Sequence, residues 1–525
     1  MPSTPETEVF TTDVSSPQLF RVWGVVFASL LLFSAIRSPA PGVNEPHYLC
    51  KAKHYWNTEW CPDDFFLTSS NPHLVFYVTV GSLTNLLTLE ETTWIGRLAG
   101  LALLAWGWVR CIGRVVPGVW TSVWVMWMYL ATAAVGNWSG EWMVGGVEGK
   151  VFAYGFGFWA IAAWWDQQLK RSALWGGLAV SFHPVVGGWI VISAVGAILA
   201  SALFKPRSEN IRKEASRSVS LFNWGLGLVI FVLACLPGIW PAIQLLDSAD
   251  VRQANIVTWI QVFYRLQHHL DPMTFSHTSY ATYGLLVVLW LVARFRLNWG
   301  SSERWFAWFV GGSIVIALVG VGLGYGERPI ESIDDITWQY RLLKFYPFRL
   351  ADVMVPIAVC VTVAGLVRQR LDESPLRNWL GSRAQAGVRC WLLFASVFIY
   401  SLVVPAVDRN PSRMDDDQLR DWLETCEWIR KETPSDTIVW TPKNSWAFKW
   451  YAQRGEYVSR KDCPQDAAGI IEWNERMGHK LHEAFQREPK LGYAIFRKGK
   501  GFLPTGLIYE NEFYEIYDLS GYARD

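Results

Sequence analysis

The chain has 525 residues, of which 51% are hydrophobic and only 18% charged, and its formal net charge is +1. This balance excludes a strongly basic nucleic-acid surface, and no Lys or Arg run marks a nucleic-acid arm. The aromatic load of 32 Trp, 28 Phe and 19 Tyr points to lipid instead, because aromatic girdles collect at membrane–water interfaces.

In chain order, residues 1–19 form a cytoplasmic segment. Glu6, Glu8 and Asp13 precede the first apolar run, 20–36, with only Arg21 as a nearby cation, so the run is expected to be an uncleaved anchor. The long loop 37–94 follows, with Asn44-Glu45-Pro46-His47-Tyr48, then Lys51, Lys53, His54 and Asp63-Asp64. Its apolar stretch 74–89 is expected to lie in the interface as a helix, since a crossing there would invert everything downstream. Further runs of spanning length lie at 95–109, 118–136, 151–165, 185–203, 222–240, 279–293, 305–325, 350–367 and 389–406. The segment 172–182 runs into Ser181-Phe182-His183-Pro184 and reads as half of a broken helix. Eleven crossings are expected in a polytopic domain spanning 20–406.

Positive charge in short connections marks the cytoplasmic side. Three are basic: Lys205 to Arg217, Arg294 to Arg304, and Arg368 to Arg389. This places the N-terminus inside, and loops 37–94, 137–150, 241–278 and 326–349 with the tail 407–525 outside. The tail carries 39 of the 93 charged residues, which explains a mean hydropathy of only +0.16. In the tail, Leu419, Trp422, Leu423, Cys426 and Ile429 recur at helical spacing behind Asp415–Asp417. Strand-like runs stand at 437–440, 457–459, 493–496 and 513–517, with a helical pattern near 465–487. The expected fold class is an all-α multi-spanning bundle with a small α/β extramembrane domain. Of the eight Cys, Cys50 with Cys61 and Cys426 with Cys463 are the pairs that would join in an oxidising compartment; unpaired thiols are the alternative.

Polar residues concentrate in the four outer loops. The second reads Gly140-Glu141-Trp142-Met143-Val144-Gly145-Gly146-Val147-Glu148-Gly149-Lys150; the third carries His268-His269-Leu270-Asp271; the fourth carries Arg341, Lys344 and Arg349, then Asp352. Carboxylates and cations converging from several loops can activate a nucleophile and hold a phosphate. Each group also has a plainer role. Glu45 can pair with Lys51 or Lys53, His183 can cap a helix, and Arg341, Lys344 and Arg349 can snorkel to headgroups. His268, His269 and Asp271 suit either a divalent metal or a substrate; the sequence itself requires no cofactor.

Two stretches carry a family likeness. Asn44-Glu45-Pro46-His47-Tyr48 places an acid after the first helix, and Gly176-Gly177-Leu178-Ala179-Val180-Ser181-Phe182-His183-Pro184-Val185-Val186-Gly187-Gly188 reads as a broken helix pair. Over residues 15–410 the chain resembles the GT-C superfamily of membrane glycosyltransferases. The acid usually paired beside the first is Asn44 here, and the tail lacks a Trp-Trp-Asp motif. The resemblance implies transfer of a sugar from a polyprenyl-phosphate donor, on the outer face of a bacterial plasma membrane, to an acceptor it does not identify. It makes Glu45 the base and puts the cations near Arg341–Arg349 on the phosphate. His47, Glu141, Glu148, His183, His268, His269 and Asp271 would contact substrate. Alternatives are a non-catalytic scaffold, or a transporter or lipid-handling protein using the break at His183-Pro184.

Overall fold

The computed structural model describes residues 16–116, 118–133, 137–204, 221–245, 250–296, 300–328, 330, 338–372, 383–404, 407–501, 503 and 506–522. The basic connection 205–217 lies outside the described residues, as do parts of the other two. Six described helices are long and apolar enough to cross a membrane: Ser16–Arg37, Leu89–Val115, Pro184–Leu203, Leu221–Gln244, Ser301–Gly324 and Arg349–Leu371. Five more helices occupy the other expected sites: Thr121–Thr132, Gly149–Trp165, Leu169–Phe182, His277–Arg294 and Arg383–Val403.

Small residues let these helices close on one another, as packing in lipid demands. Gly107 faces the Gly155 carbonyl, and a Cβ at Gly107 would come within 2.5 Å of it. The Gly149–Trp165 helix is thereby buried almost all round. Leu169–Phe182 and Pro184–Leu203 are separated by His183, which is extended (φ −152°, ψ 95°). Pro184 opens the second helix, where its missing N–H costs nothing. The His183 imidazole then caps it, Nδ1 accepting from the Val186 amide at 3.3 Å.

The stretch expected as an interfacial helix at 74–89 differs. It is a short helix, Leu74–Val78, and a 3₁₀ turn, Val80–Asn85, broken at Thr79. Gly81 packs against Ala52, and Phe76 and Tyr77 are buried beside the Glu45–Trp56 helix in a core of their own. Val75, Phe76, Tyr77 and Val80 are thus spent on burial, while Val78 and Leu86 of the same stretch stay exposed. All eight cysteines are unpaired and buried, so neither anticipated disulfide forms. Cys426 and Cys463 belong to different hydrophobic cores.

The tail folds around a five-stranded mixed sheet: β1 Ile438–Trp440, β2 Gly455–Glu456, β3 Leu491–Arg497, β4 Leu507–Glu510 and β5 Tyr514–Asp518, in the order β2-β1-β3-β5-β4. β1 runs parallel to β2 and β3, while β5 is antiparallel to β3 and β4. Alternation along β1 sends Val439 toward Trp422, Cys426 and Ile429 of the Asp416–Glu432 helix, and Ile438 toward Ile470 and Trp473 of Ala467–Gly478. The sheet is therefore covered by helices on both faces. The second strand lies two residues before the expected run at 457–459, and β4 was not anticipated, since its pairing is set by its neighbour β5.

Candidate functional site

Asn44, at the start of Glu45–Trp56, stands beside a cluster of buried polar side chains. Behind it, Glu45 is fully buried and bound by four donors. Arg97 grips both oxygens (Nε–Oε1 2.7 Å, Nη2–Oε2 2.8 Å), and the amides of Gly42 and Val147 donate at 2.6 and 2.7 Å. Neither Lys51 nor Lys53 is its partner. Lys51 instead donates to the carbonyls of Phe66 and Ser69, at 2.5 and 3.1 Å, and burial brings its ammonium down to about 7. A carboxylate so saturated holds chain segments together: one bond fixes Val147, directly before Glu148. Gly146 must be glycine for this approach, because a Cβ would fall 2.8 Å from the pinned carboxylate carbon.

Glu141, Glu148, Lys150, His183 and Arg349 come together beside it. Arg349 Nε meets Glu141 at 3.1 Å; Lys150 lies 3.7 Å from Glu141 and 3.6 Å from Glu148. Asp352, one turn beyond Arg349, accepts the amides of Trp138 and Ser139 at 3.0 Å and the Ser139 hydroxyl at 2.5 Å, pinning the loop that presents Glu141. Burial raises Glu148 above the usual carboxylate range, against the opposing pull of Lys150 and of the Asn44 amide, which donates at 2.6 Å. His183 Nε2 and Arg349 Nη1 are 3.4 Å apart. With Nδ1 accepting from Val186, Nε2 carries the proton, so two donors face each other and an anionic oxygen would satisfy both. The helices beginning at Gly149, Pro184 and Arg349 all start here, and their N-terminal dipole ends favour an anion as well.

The tail packs on this cluster through residues 459–466. Asp462 accepts from His47 at 2.8 Å and from Lys449 at 2.6 Å; Lys449 also holds Glu456 at 2.6 Å and Asp64 at 3.6 Å. Lys461 donates to Asn44 Oδ1. His73 stacks on Tyr48 (4.7 Å) and lies 6.0 Å from His183, with a buried Nδ1 that has no partner. Arg97, His73, Lys449, Lys461 and Asp462 escape a reading of the sequence. Each has a partner from 52 to more than 400 residues away, and no local pattern marks them.

The remaining expected residues turn elsewhere. His269 contacts the Ser139 carbonyl, His268 stacks on His269 at 4.0 Å, and Asp271 pairs with Arg328 at 2.6 Å. The three do not converge on one point, and among the described residues no group of three His, Cys, Asp or Glu forms a metal-ligand set. Arg341 donates to Asn255 at 2.7 Å. Lys344 is partly buried, which lowers its ammonium, with Arg341 adding to the effect. Of the three expected clamp cations, Arg349 is the one the structure joins to the carboxylates.

A family described as a domain of unknown function, DUF6798, matches residues 420–479, the part of the tail that includes Lys449, Lys461 and Asp462. No curated protein matches the sequence. Among solved structures, ArnT from Cupriavidus metallidurans bound to undecaprenyl phosphate is similar over 96% of this chain and 98% of its own, with a TM-score of 0.51 and 9% identity. Its apo form gives 0.49 at 10% identity, over 94% of this chain and 97% of that one. The archaeal oligosaccharyltransferase AglB from Archaeoglobus fulgidus, in complex with an inhibitory peptide and a dolichol-phosphate, gives 0.40 at 11%, over 92% and 70%. Eleven helices in the expected places, a loop-borne polar cluster and a terminal α/β domain, matched over 96% of the chain by the ArnT fold, make this chain a multi-pass membrane protein of GT-C-like fold.

Proposed function

We propose that the protein is a membrane glycosyltransferase that moves a sugar from a polyprenyl-phosphate donor to an acceptor hydroxyl on the outer face of the membrane. The observation that carries this reading is the buried meeting of Lys150 and Arg349 with Glu141 and Glu148 at three helix N-termini. Its support from outside the chain is the undecaprenyl phosphate bound by ArnT, a protein of the same fold.

In this reading Arg349, Lys150 and the His183 Nε2–H hold the donor phosphate. Glu141 keeps both cations in place. Glu148, raised by burial, is the base. The acceptor oxygen attacks the anomeric carbon and its proton passes to Glu148. The bond from that carbon to the phosphate oxygen breaks, and the phosphate leaves with the electron pair toward the cations. Glu45, the base in the family pattern, becomes a positioning residue, since its four donors leave it no room to take a proton. His47 serves by tethering the tail.

The test is thermal stabilisation of the detergent-purified protein by a panel of polyprenyl-phosphate sugars, since a ligand of the native state raises apparent stability. Wild type and Glu148→Gln should both be stabilised, and Arg349→Ala should lose the effect. Equal stabilisation of Arg349→Ala, or none of the wild type by any lipid phosphate, would overturn the assignment.

A further inference from the structure

The tail does more than pack on the polar cluster. Lys461 reaches in from it, and Asn44 stands between Lys461 and Glu148: its Oδ1 accepts from the ammonium while its Nδ2 donates to Glu148 Oε1 at 2.6 Å. An aspartate in this place would set a second negative charge against Glu148 and could not donate to it. Only an amide serves both neighbours. The arrangement is held from several sides. Arg265 donates to the Lys461 carbonyl at 2.8 Å, and the adjacent Asp462 is fastened to His47 and Lys449. Lys461 itself stays exposed to water.

We propose that Lys461 is a positioning residue for Glu148: from the tail domain, through Asn44, it sets the orientation and the protonation of a carboxylate that belongs to the membrane domain. The inference rests on the reading of Glu148 as the base, but its geometry does not need that reading. The charged and titratable groups around Glu148 are Lys150, Glu141, Tyr48 and Lys461; those around Lys461 are Glu148, Asp462, Arg265 and Lys150. Surrounding protein lowers the Lys461 ammonium to about 8, a shift that water at its exposed side chain weakens, so it is charged at neutral pH.

The experiment uses the full-length purified protein and a hydrophobic carbodiimide, which modifies protonated buried carboxyls. Adduct on the Glu148 peptide is followed by mass spectrometry as a function of pH. No sugar, lipid or acceptor is needed, so the result stands whether or not the protein transfers sugars. Loss of the cation in Lys461→Met should carry the labelling midpoint to higher pH by roughly one unit. Lys461→Arg should restore it. Asn44→Leu, which keeps both charges and removes the bridge, should shift it the same way. A variant remote from Glu148, Lys431→Met, controls for handling. An unmoved midpoint in Lys461→Met overturns the proposal; so does an equal shift in Lys461→Arg, which would mean that the loop and not the charge sets Glu148.

Discussion

The pair Glu45–Arg97 shows how a buried ion pair decides which carboxylate is free. Glu45 lies in the conspicuous motif, yet a fork of two hydrogen bonds and two backbone amides occupies it completely. Removing one partner leaves the other charge buried alone, which costs about 3–5 kcal/mol. Arg97→Ala should therefore lower the unfolding temperature of the purified protein sharply, and Arg97→Lys should restore little, since an ammonium cannot fork. An unchanged melting profile for Arg97→Ala would refute the account. Burial raises Glu148 from the ordinary glutamate value of 4.5; a base works only when ionised, so in the proposed reaction transfer should fall as pH drops through that raised value. A pH–rate profile should show its acid limb displaced above pH 4.5, and Glu148→Gln should abolish the limb with the activity.

Among the elements, the break at His183 is where sequence and structure agree most closely, because Pro184 and the flanking glycines are local signals. The spans are legible for the same reason: an apolar run is read within its own twenty residues. Long-range contacts are not. Glu45 stands out by its motif, while Arg97 sits unmarked in an apolar helix 52 residues on, and the stretch 74–89 is apolar for a reason that only its neighbours reveal. Glycines at the break make a sharp test. A Cβ at Gly187 would strike the backbone of Ala179 and Val180, whereas at Gly188 it would meet open space. Gly187→Ala should cost about 1–3 kcal/mol by overpacking, and Gly188→Ala should cost nothing. Fluorescence-detected size-exclusion after heating separates the two; equal behaviour would contradict the tight crossing.

For the whole molecule, the junction of tail and first loop rests on charge. Burial holds His47 below 6.5 despite its bond to Asp462, while Lys449 and His47 hold Asp462 well below 3.8. Both shifts have the same sign consequence. The undocked His47 takes up a proton near 6.5 and the docked one resists it, so docking weakens as pH falls from there. Asp462 adds a second loss below 3.8, as its undocked form protonates first. Protection factors for hydrogen exchange over 45–56 and 459–466, taken against the intrinsic rate at each pH, should fall between pH 7 and pH 5 while those of the membrane helices hold. Protection that is flat across this range would show that the junction does not depend on His47. Nothing in the tail sequence announces this junction, since Lys449 and Asp462 acquire meaning only opposite Asp64 and His47.

Lys461 also fixes an order in time. A ribosome finishes every described membrane helix before the loop 459–466 has emerged. Throughout that interval Glu148 has Lys150 beside it but not yet Lys461. On the proposed reading, this carboxylate takes its final setting only once the tail has folded.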